Sequence, residues 1–425
     1  MKMPTSLEAI AKKAKEQPKY RFRDLSRELN EGLLRECWRK LNKRSAVGVD
    51  GVSYREYDKD FDSNLQDLTS RLRRGAYRAK LVRRHYIPKG NGKQRPLGIP
   101  STEDKLLQTA VSKILEAIYE QDFFPCSYGY RPKIGARNAV DDLQRTLTQQ
   151  PFHWVAEADI RGFFDNIDHD HLIAMLEERI DDSRFIRLIR KWLKAGVLDT
   201  DGKILPSAAG SPQGGIVSPI LANIYLHHVL VKWFEDVVKK HCVGRAYLCV
   251  YADDFVCAFE REDDANRFYR TLPKRMGRYN LELAPEKTNL IRFSRDGADL
   301  NGTFEFLGFE FHWVRSKKKG SYFVKRSTSS TKFGKSVLNL KEWCKKFRNL
   351  KTKELISKLN AKLRGYYNYY GVPGNADKIN KFDFFVNRIL FKWLNRRSQR
   401  KSYTWEGFNT LLKAFPLIKP KVVWK

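Results

Sequence analysis

Acid, cysteine and long apolar runs are all scarce in this chain, and each shortage narrows what it can be. No stretch approaches the ~20 consecutive apolar residues that span a bilayer. The opening MKMPTSLEAIAKKAKEQPKY lacks the apolar segment of a signal peptide. The expected location is therefore the cytosol, and no membrane partner is expected. The six cysteines, Cys37, Cys126, Cys242, Cys249, Cys257 and Cys344, contain no CxxC, so no zinc ribbon or zinc-dependent nuclease module is visible. They read as reduced core thiols. FGKS at 333–336 ends like a phosphate-binding loop, but Ser329 stands where the first glycine belongs, so no separate ATPase is implied. Apart from one Tyr-rich stretch there is no repeat or low-complexity segment. The 49 Asp+Glu are outnumbered by 81 Lys+Arg, leaving +32 at pH 7, far more than solubility needs. That surplus asks for a polyanion. With 13% aromatic residues able to stack on bases, nucleic acid is favoured over a lipid surface.

What is present is enough for two to four domains, each with its own core. Residues 1–76 are basic and helical in pattern, with Leu33, Leu34, Cys37, Trp38 and Leu41 on one face. LVRRHYIPKGNGKQRPLGIP reads as a basic hairpin turning at GNGK, and DKLLQTAVSKILEAIY as a helix. From 150 to about 314, strands (HWVAEADI, AYLCVY, FVCAF, NLIRF) interleave with helices, which predicts a β-α-β-β-α-β sheet layer covered on one face. The helix after the Gly-Pro loop (210–219) is expected to start with Ser218 as cap and Pro219 in its first turn. Its stripe is Leu221, Ile224, Tyr225, Val229, Trp233 and Val237. Pro273 weakens the pattern of a helix near 263–277. TFEFLGFEFHWV reads as a last hairpin. Residues 331–425 hold 23 Lys/Arg against 5 Asp/Glu, a net +18, with helical stripes at Leu355, Leu359, Leu363 and at Phe382, Phe385, Val386, Ile389, Leu390, Trp393.

The segment that carries chemistry is Tyr251-Ala252-Asp253-Asp254, set between two apolar strand-like runs. An arbitrary Asp-Asp pair is a solvated turn. Here the frame of buried strands projects both acids from a sheet end, and Asp159 ends another strand that the proposed topology sets beside the hairpin. Clustered carboxylates repel and raise their own pKa values unless cations bind between them. Hard, oxygen-seeking Mg²⁺ suits such a site. Two such ions about 3.5–4 Å apart activate a hydroxyl and stabilise a leaving pyrophosphate in an in-line displacement. Asp168-His169-Asp170-His171 also has metal-ligand residue types, but its place at a helix start favours Asp168 as an N-cap.

YADDF closely resembles the catalytic motif of reverse transcriptases. IPKGNGKQRPLGIPSTEDKLLQTAV, SYGYRP, ADIRGFFDNIDH, GSPQGGIVSPILANIYL, LAPEKTNLIRF and FEFLGFEF resemble further family motifs in the same order. The resemblance implies an α+β right-hand polymerase with fingers, a ferredoxin-like palm and an α-helical thumb. It makes Asp159, Asp253 and Asp254 catalytic acids and metal ligands, joined by the backbone of Ile160, with two Mg²⁺ as cofactor and Mn²⁺ as substitute. Lys89, Arg95, Phe164 and Gln213 would bind the nucleotide, Phe164 as the aromatic gate against a 2′-hydroxyl. Lys287 would serve as general acid, and Leu307 and Gly308 as primer grip. A generic hairpin, a core aromatic, a plain loop and a surface lysine are the plain alternatives for these helpers.

LRGYYNYY at 363–370 resembles the maturase region of group II intron-encoded reverse transcriptases, and AVGVDGVSY resembles the fingers insertion of non-retroviral members. Arg364, Tyr366, Tyr367, Tyr369 and Tyr370 would then meet structured RNA, unless the tyrosines pack the thumb. The implied division is 1–76 N-terminal extension and first part of the fingers, 77–150 fingers, 151–314 palm, and 315–397 thumb/maturase. Residues 398–425 are a short basic segment, a remnant DNA-binding region. After RRSQRK there is no Cys/His endonuclease module, so a primer at the target site would come from elsewhere. The implied partners are intron RNA, an RNA template with DNA primer, dNTPs and target DNA, with nucleoid association when on DNA. Self-association is left open. A host-adopted enzyme in repair or defence is one alternative. A non-catalytic RNA-binding splicing cofactor is another, and its expected eroded acids are not seen.

Overall fold

The computed structural model describes residues 5–88, 94–205, 210, 214–295, 302–316, 320–398 and 402–423. Its central sheet has four strands in the spatial order Ala246–Tyr251, Asp254–Phe259, Trp154–Asp159 and Asn289–Arg292. Numbered along the chain this is 2-3-1-4, the split β-α-β arrangement expected of a ferredoxin-like palm. The apolar runs explain it: Leu248–Val250 and Phe255–Phe259 are buried on both faces, as central strands must be. His153 N donates to Phe259 O (3.0 Å), and Phe293 N donates to His153 O (2.7 Å), which aligns the strand ends away from the acids.

By contact the chain divides into two compact units. The first comprises residues 1–139, 158–257 and 263–289. Its N-terminal helices include Glu31–Lys40, where Leu33, Leu34, Cys37 and Trp38 are buried as the periodicity predicts. Asn30 caps that helix by accepting from Leu33 N. The fingers hairpin pairs Val82–Pro88 with Gln94–Ile99, antiparallel, in the register Pro88↔Gln94. Helix Thr102–Tyr119, capped by Ser101, is buried nearly all round. Pro273 lies within one continuous helix, Glu262–Gly277.

Two expectations need correction here. Ser218 begins its helix but does not cap it: Val217 is the N-cap and no side chain bonds there, although Pro219 does occupy the first turn. The same helix opens into two π turns, His227–Val231 and Phe234–Val238. A π turn takes more residues per revolution, so the apolar stripe drifts. Leu221, Ile224, Tyr225 and Val229 are buried, while Phe234 takes the core position and Val237 is 43% exposed.

The second unit comprises residues 140–157, 258–262 and 290–425. Phe304–Phe306 pairs with Phe309–Arg315 through a two-residue turn, Leu307-Gly308, both at positive φ. A third strand, Tyr322–Thr328, pairs with Phe309–Arg315. That strand lies in the segment expected to be helical from 315. The helices begin only at Ser330, with Ser329 as cap, and FGKS lies inside the first of them. The C-terminal segment adds to the helical core. Phe408, on helix Trp405–Ala414, and Leu417 join Leu340, Cys344, Leu355, Leu359, Leu363, Val386 and Leu390 in one core.

Candidate active site

The acids converge because of strand order. Asp159 ends its strand beside the strand that Asp254 opens, and Asp253 occupies the turn between Tyr251 and Asp254. Burial pushes the Asp253 carboxyl up from its ordinary value and Asp159's charge adds to the rise, while Arg95 and Lys287 pull it down. Asp254 is exposed at the first position of its strand.

Lys287 reaches the acids through the backbone. Ala284 N donates to Asp159 O and Arg161 N to Glu282 O, both at 2.8 Å, closing an antiparallel bridge between Ile160 and Leu283. In such a bridge the flanking residues make the bonds, so the carbonyl of Ile160 turns away from Leu283. The chain then makes a short helix at Pro285–Lys287, and Lys287 Nζ lies 2.5 Å from Asp159 Oδ2. That bond to Asp159 holds the lysine's pKa above its usual range. Arg161 pairs with Glu282 (3.0 Å) and Glu286 (3.5 Å), steadying the segment.

The turn itself is clamped from behind. Ala252 has φ +56°, a left-handed conformation that a residue with a Cβ adopts only under constraint. Gly129 supplies the constraint: a Cβ there would stand 2.2 Å from Ala252 N. Tyr128 N donates to Val250 O (2.9 Å), and the buried amide of Asn223 donates to Gly129 O (2.7 Å). Phe164 is buried, edge-on to Phe163 at 5.6 Å and to Tyr130 at 6.2 Å. Gly214 presses on the fingers strand, where a Cβ would meet Gly98 O at 2.4 Å, and Ile216 N donates to Gln108 Oε1 (2.8 Å).

Not every expected residue joins this constellation. Lys89 and Gln213 lie outside the described residues. Asp168 is an N-cap, accepting from His171 N at 2.9 Å, and His169 meets Gly210 O, so the acid-histidine run is structural. The Leu307-Gly308 turn is braced by the Tyr-rich helix Thr352–Tyr370. Tyr369 Oη donates to Leu307 O (2.7 Å), and Tyr370 Oη lies 2.9 Å from where a Gly308 Cβ would stand. Tyr366 stacks on Phe382 at 3.8 Å. Tyr367 is buried and bonds Asp383 (3.0 Å), so it has no free face for RNA; Arg364 is exposed. Gly129, Tyr130, Asn223 and Gln108 were not legible as functional. Their only signal was membership of SYGYRP, GSPQGGIVSPILANIYL and the Thr102 helix.

Among the described residues no three His, Cys, Asp or Glu side chains form a ready-made metal cage. Two neighbouring carboxylates and a nearby carbonyl nevertheless fit a divalent ion of the Mg²⁺ kind, which keeps waters and substrate phosphates as its other ligands. The charge that Asp159 exerts on Asp253 is the repulsion such an ion relieves.

Known proteins share much of this sequence. The reverse transcriptase (RNA-dependent DNA polymerase) profile matches residues 87–311, and the group II intron maturase-specific domain matches 335–409. The group II intron-encoded protein LtrA of Lactococcus lactis subsp. cremoris is 29% identical over 468 aligned positions, covering 91% of this chain and 76% of that protein. Protein YkfC of Escherichia coli K12 is 37% identical over 238 positions, covering 49% of this chain and 62% of that one. No helix among the described residues is long and apolar enough to cross a membrane. With its acids on a ferredoxin-like palm and a maturase domain following it, the chain belongs to the reverse transcriptase family, in the group II intron-encoded branch, and is a divalent-metal-dependent RNA-directed DNA polymerase.

Proposed function

We propose that this chain extends a DNA primer on its own intron RNA at the Asp159–Asp253 pair, using two Mg²⁺ ions, with Mn²⁺ as substitute. In this reading residues 335–409 hold the structured intron RNA, so that one cytosolic protein serves splicing and, with target DNA, mobility. The observation that carries the proposal is the meeting of Asp159 with the Tyr251–Asp254 turn at one sheet end, where Asp253 feels Asp159's charge. When bound, the ions activate the primer 3′-hydroxyl and offset charge on the leaving pyrophosphate.

The remaining work falls to side chains. Asp159 and Asp253, with the Ile160 carbonyl, hold the ions, and Asp254 adds its field from the strand start. Arg95, whose charge reaches Asp253, forks onto the triphosphate, and Lys89 and Gln213 are assigned to the same nucleotide by their motifs. Phe164, wedged among rings, occupies the volume a 2′-hydroxyl would need. Lys287, 63% exposed in its side chain, swings from Asp159 to the pyrophosphate and supplies its proton or a charged hydrogen bond. The Leu307-Gly308 turn, braced by Tyr369 and Tyr370, grips the primer. Arg364, exposed, and the half-buried Tyr366 face RNA.

The test is single-turnover extension of a DNA primer on RNA with dNTPs and Mg²⁺. Asp159→Asn and Asp253→Asn should each abolish synthesis. Undiminished synthesis in either variant refutes the assignment.

A further inference from the structure

Phe164 is 7% exposed, so little of its ring is open to a substrate. Its neighbour Tyr130 is different. Tyr130 meets Phe164 edge-on at 6.2 Å and 78°, yet is itself 47% exposed. Phe164 also meets Phe163 at 5.6 Å, and Phe163 meets Tyr225 at 6.4 Å, both of them buried. Of these rings Tyr130 alone is open to solvent. It has an unusual backbone, φ +56°, which a bulky residue keeps only when its surroundings over-determine it. They do: Gly129 is pressed on Ala252, Asn223 holds the Gly129 carbonyl, and Arg131 forks onto Glu120 and onto the carbonyls of Phe124 and Ser127. A half-exposed ring in strained backbone gains little for stability, so this anchoring points to a role outside the core. Asp253 and Arg95 both act on the Tyr130 phenol. The ring thus lies near the acid that the proposed function gives to the metal ions and near the arginine it gives to the triphosphate.

We infer that Tyr130 is a positioning residue for sugar selection: its ring packs edge-on against Phe164 and holds the gate in the one rotamer that excludes a 2′-hydroxyl. This rests on the reading of Phe164 as the gate. The ring matters and the phenol oxygen does not.

The test compares kcat/KM for a dNTP and its matching rNTP on one RNA template, in wild type, Tyr130→Phe, Tyr130→Leu, Tyr130→Met, Phe164→Val and the Tyr130→Leu/Phe164→Val double variant. Tyr130→Phe should keep the wild-type ratio. Tyr130→Leu and Tyr130→Met should each relax it by roughly 2- to 10-fold, the scale of one edge-to-face ring contact. The change should come from a lower KM for the rNTP, with kcat for the dNTP nearly unchanged. In the double variant the Leu substitution should add nothing to Phe164→Val, because it acts through that ring. Equal losses for both nucleotides would mean a merely structural tyrosine and overturn the inference. So would relaxation by Tyr130→Phe, or additivity in the double variant. If Phe164→Val relaxes selection and the Tyr130 variants do not, this inference fails and the gate stands. If none relaxes it, the gate reading fails first.

Discussion

Adding one methyl group at Gly129 should stall the polymerase without unfolding it. The Cβ of Gly129→Ala would lie 2.2 Å from Ala252 N, 2.9 Å from Ala252 Cα and 3.0 Å from Tyr251 C. All three atoms are backbone, so no rotamer change can relieve the clash. Restoring ordinary contact requires about 1 Å of backbone movement, and the adjoining segment resists it. Asn223 holds the Gly129 carbonyl, and Tyr128 is bonded to the strand that leads into the turn. The turn bearing Asp253 must take up much of the shift. A misplacement of about 1 Å at a reacting centre costs on the order of 100-fold in rate, whereas overpacking costs roughly 1–3 kcal/mol of stability. Single-turnover primer extension should therefore fall about 100-fold while the thermal melt stays cooperative and shifts by a few degrees. Gly135→Ala is the control, since its Cβ would meet nothing within 4 Å, and it should change neither readout. Near wild-type extension by Gly129→Ala would refute the clamp. Loss of the cooperative melt would refute the claim that the damage is local.

Three further outcomes are expected. Burial pushes the thiols of Cys37 to about 11 and Cys344 to about 12, and raises Cys257 further, so the nucleophilic thiolate is scarce at pH 8. A thiol reagent should modify at most the half-buried Cys126 and Cys242 in the native protein and all six after unfolding; rapid native labelling of a third would refute the packing. Tyr367→Phe should cost about 1 kcal/mol in a denaturant melt through its lost bond to Asp383 and leave RNA affinity unchanged. Arg364→Ala should do the reverse in a filter-binding assay, and exchanged phenotypes would overturn their assignment. With 23 Lys/Arg against 5 Asp/Glu after residue 330, RNA affinity should fall steeply with salt, a log-log slope of roughly −4 if five phosphates are met. A flat dependence would remove the thumb from the RNA surface.

Residues whose role depends on local pattern were readable in one dimension. Asp168 was legible as a cap because capping is decided within three residues, and the Val82–Ile99 hairpin because its two strands are neighbours along the chain. The Asp253 turn was legible because its flanking runs are too apolar to be anything but interior strand. The strand Tyr322–Thr328 was not. Its Lys325 and Arg326 disguise it, and it is a strand because Phe309–Arg315 lies alongside, with Arg326 paired to Asp141. Ser218 looked like a cap by residue type, but the chain enters that helix already in helical conformation at Val217, which leaves the hydroxyl no capping position. The share of the C-terminal segment in the thumb core was not readable because its basic residues hide two apolar anchors, Phe408 and Leu417.

Composition and the paired acids pointed to divalent-metal chemistry on a nucleic acid, and the resemblance of YADDF and its companion motifs supplied the polymerase class. Tertiary structure alone decided which groups stand around those acids. Strand order sets Asp159 beside the turn, a backbone bridge brings Lys287 to Asp159, and Gly129 leaves room for the turn while carrying Tyr130 onto Phe164. The reason is physical: side-chain type and spacing are local quantities, whereas contact between Asp159 and Lys287, 128 positions apart along the chain, exists only once that chain has folded.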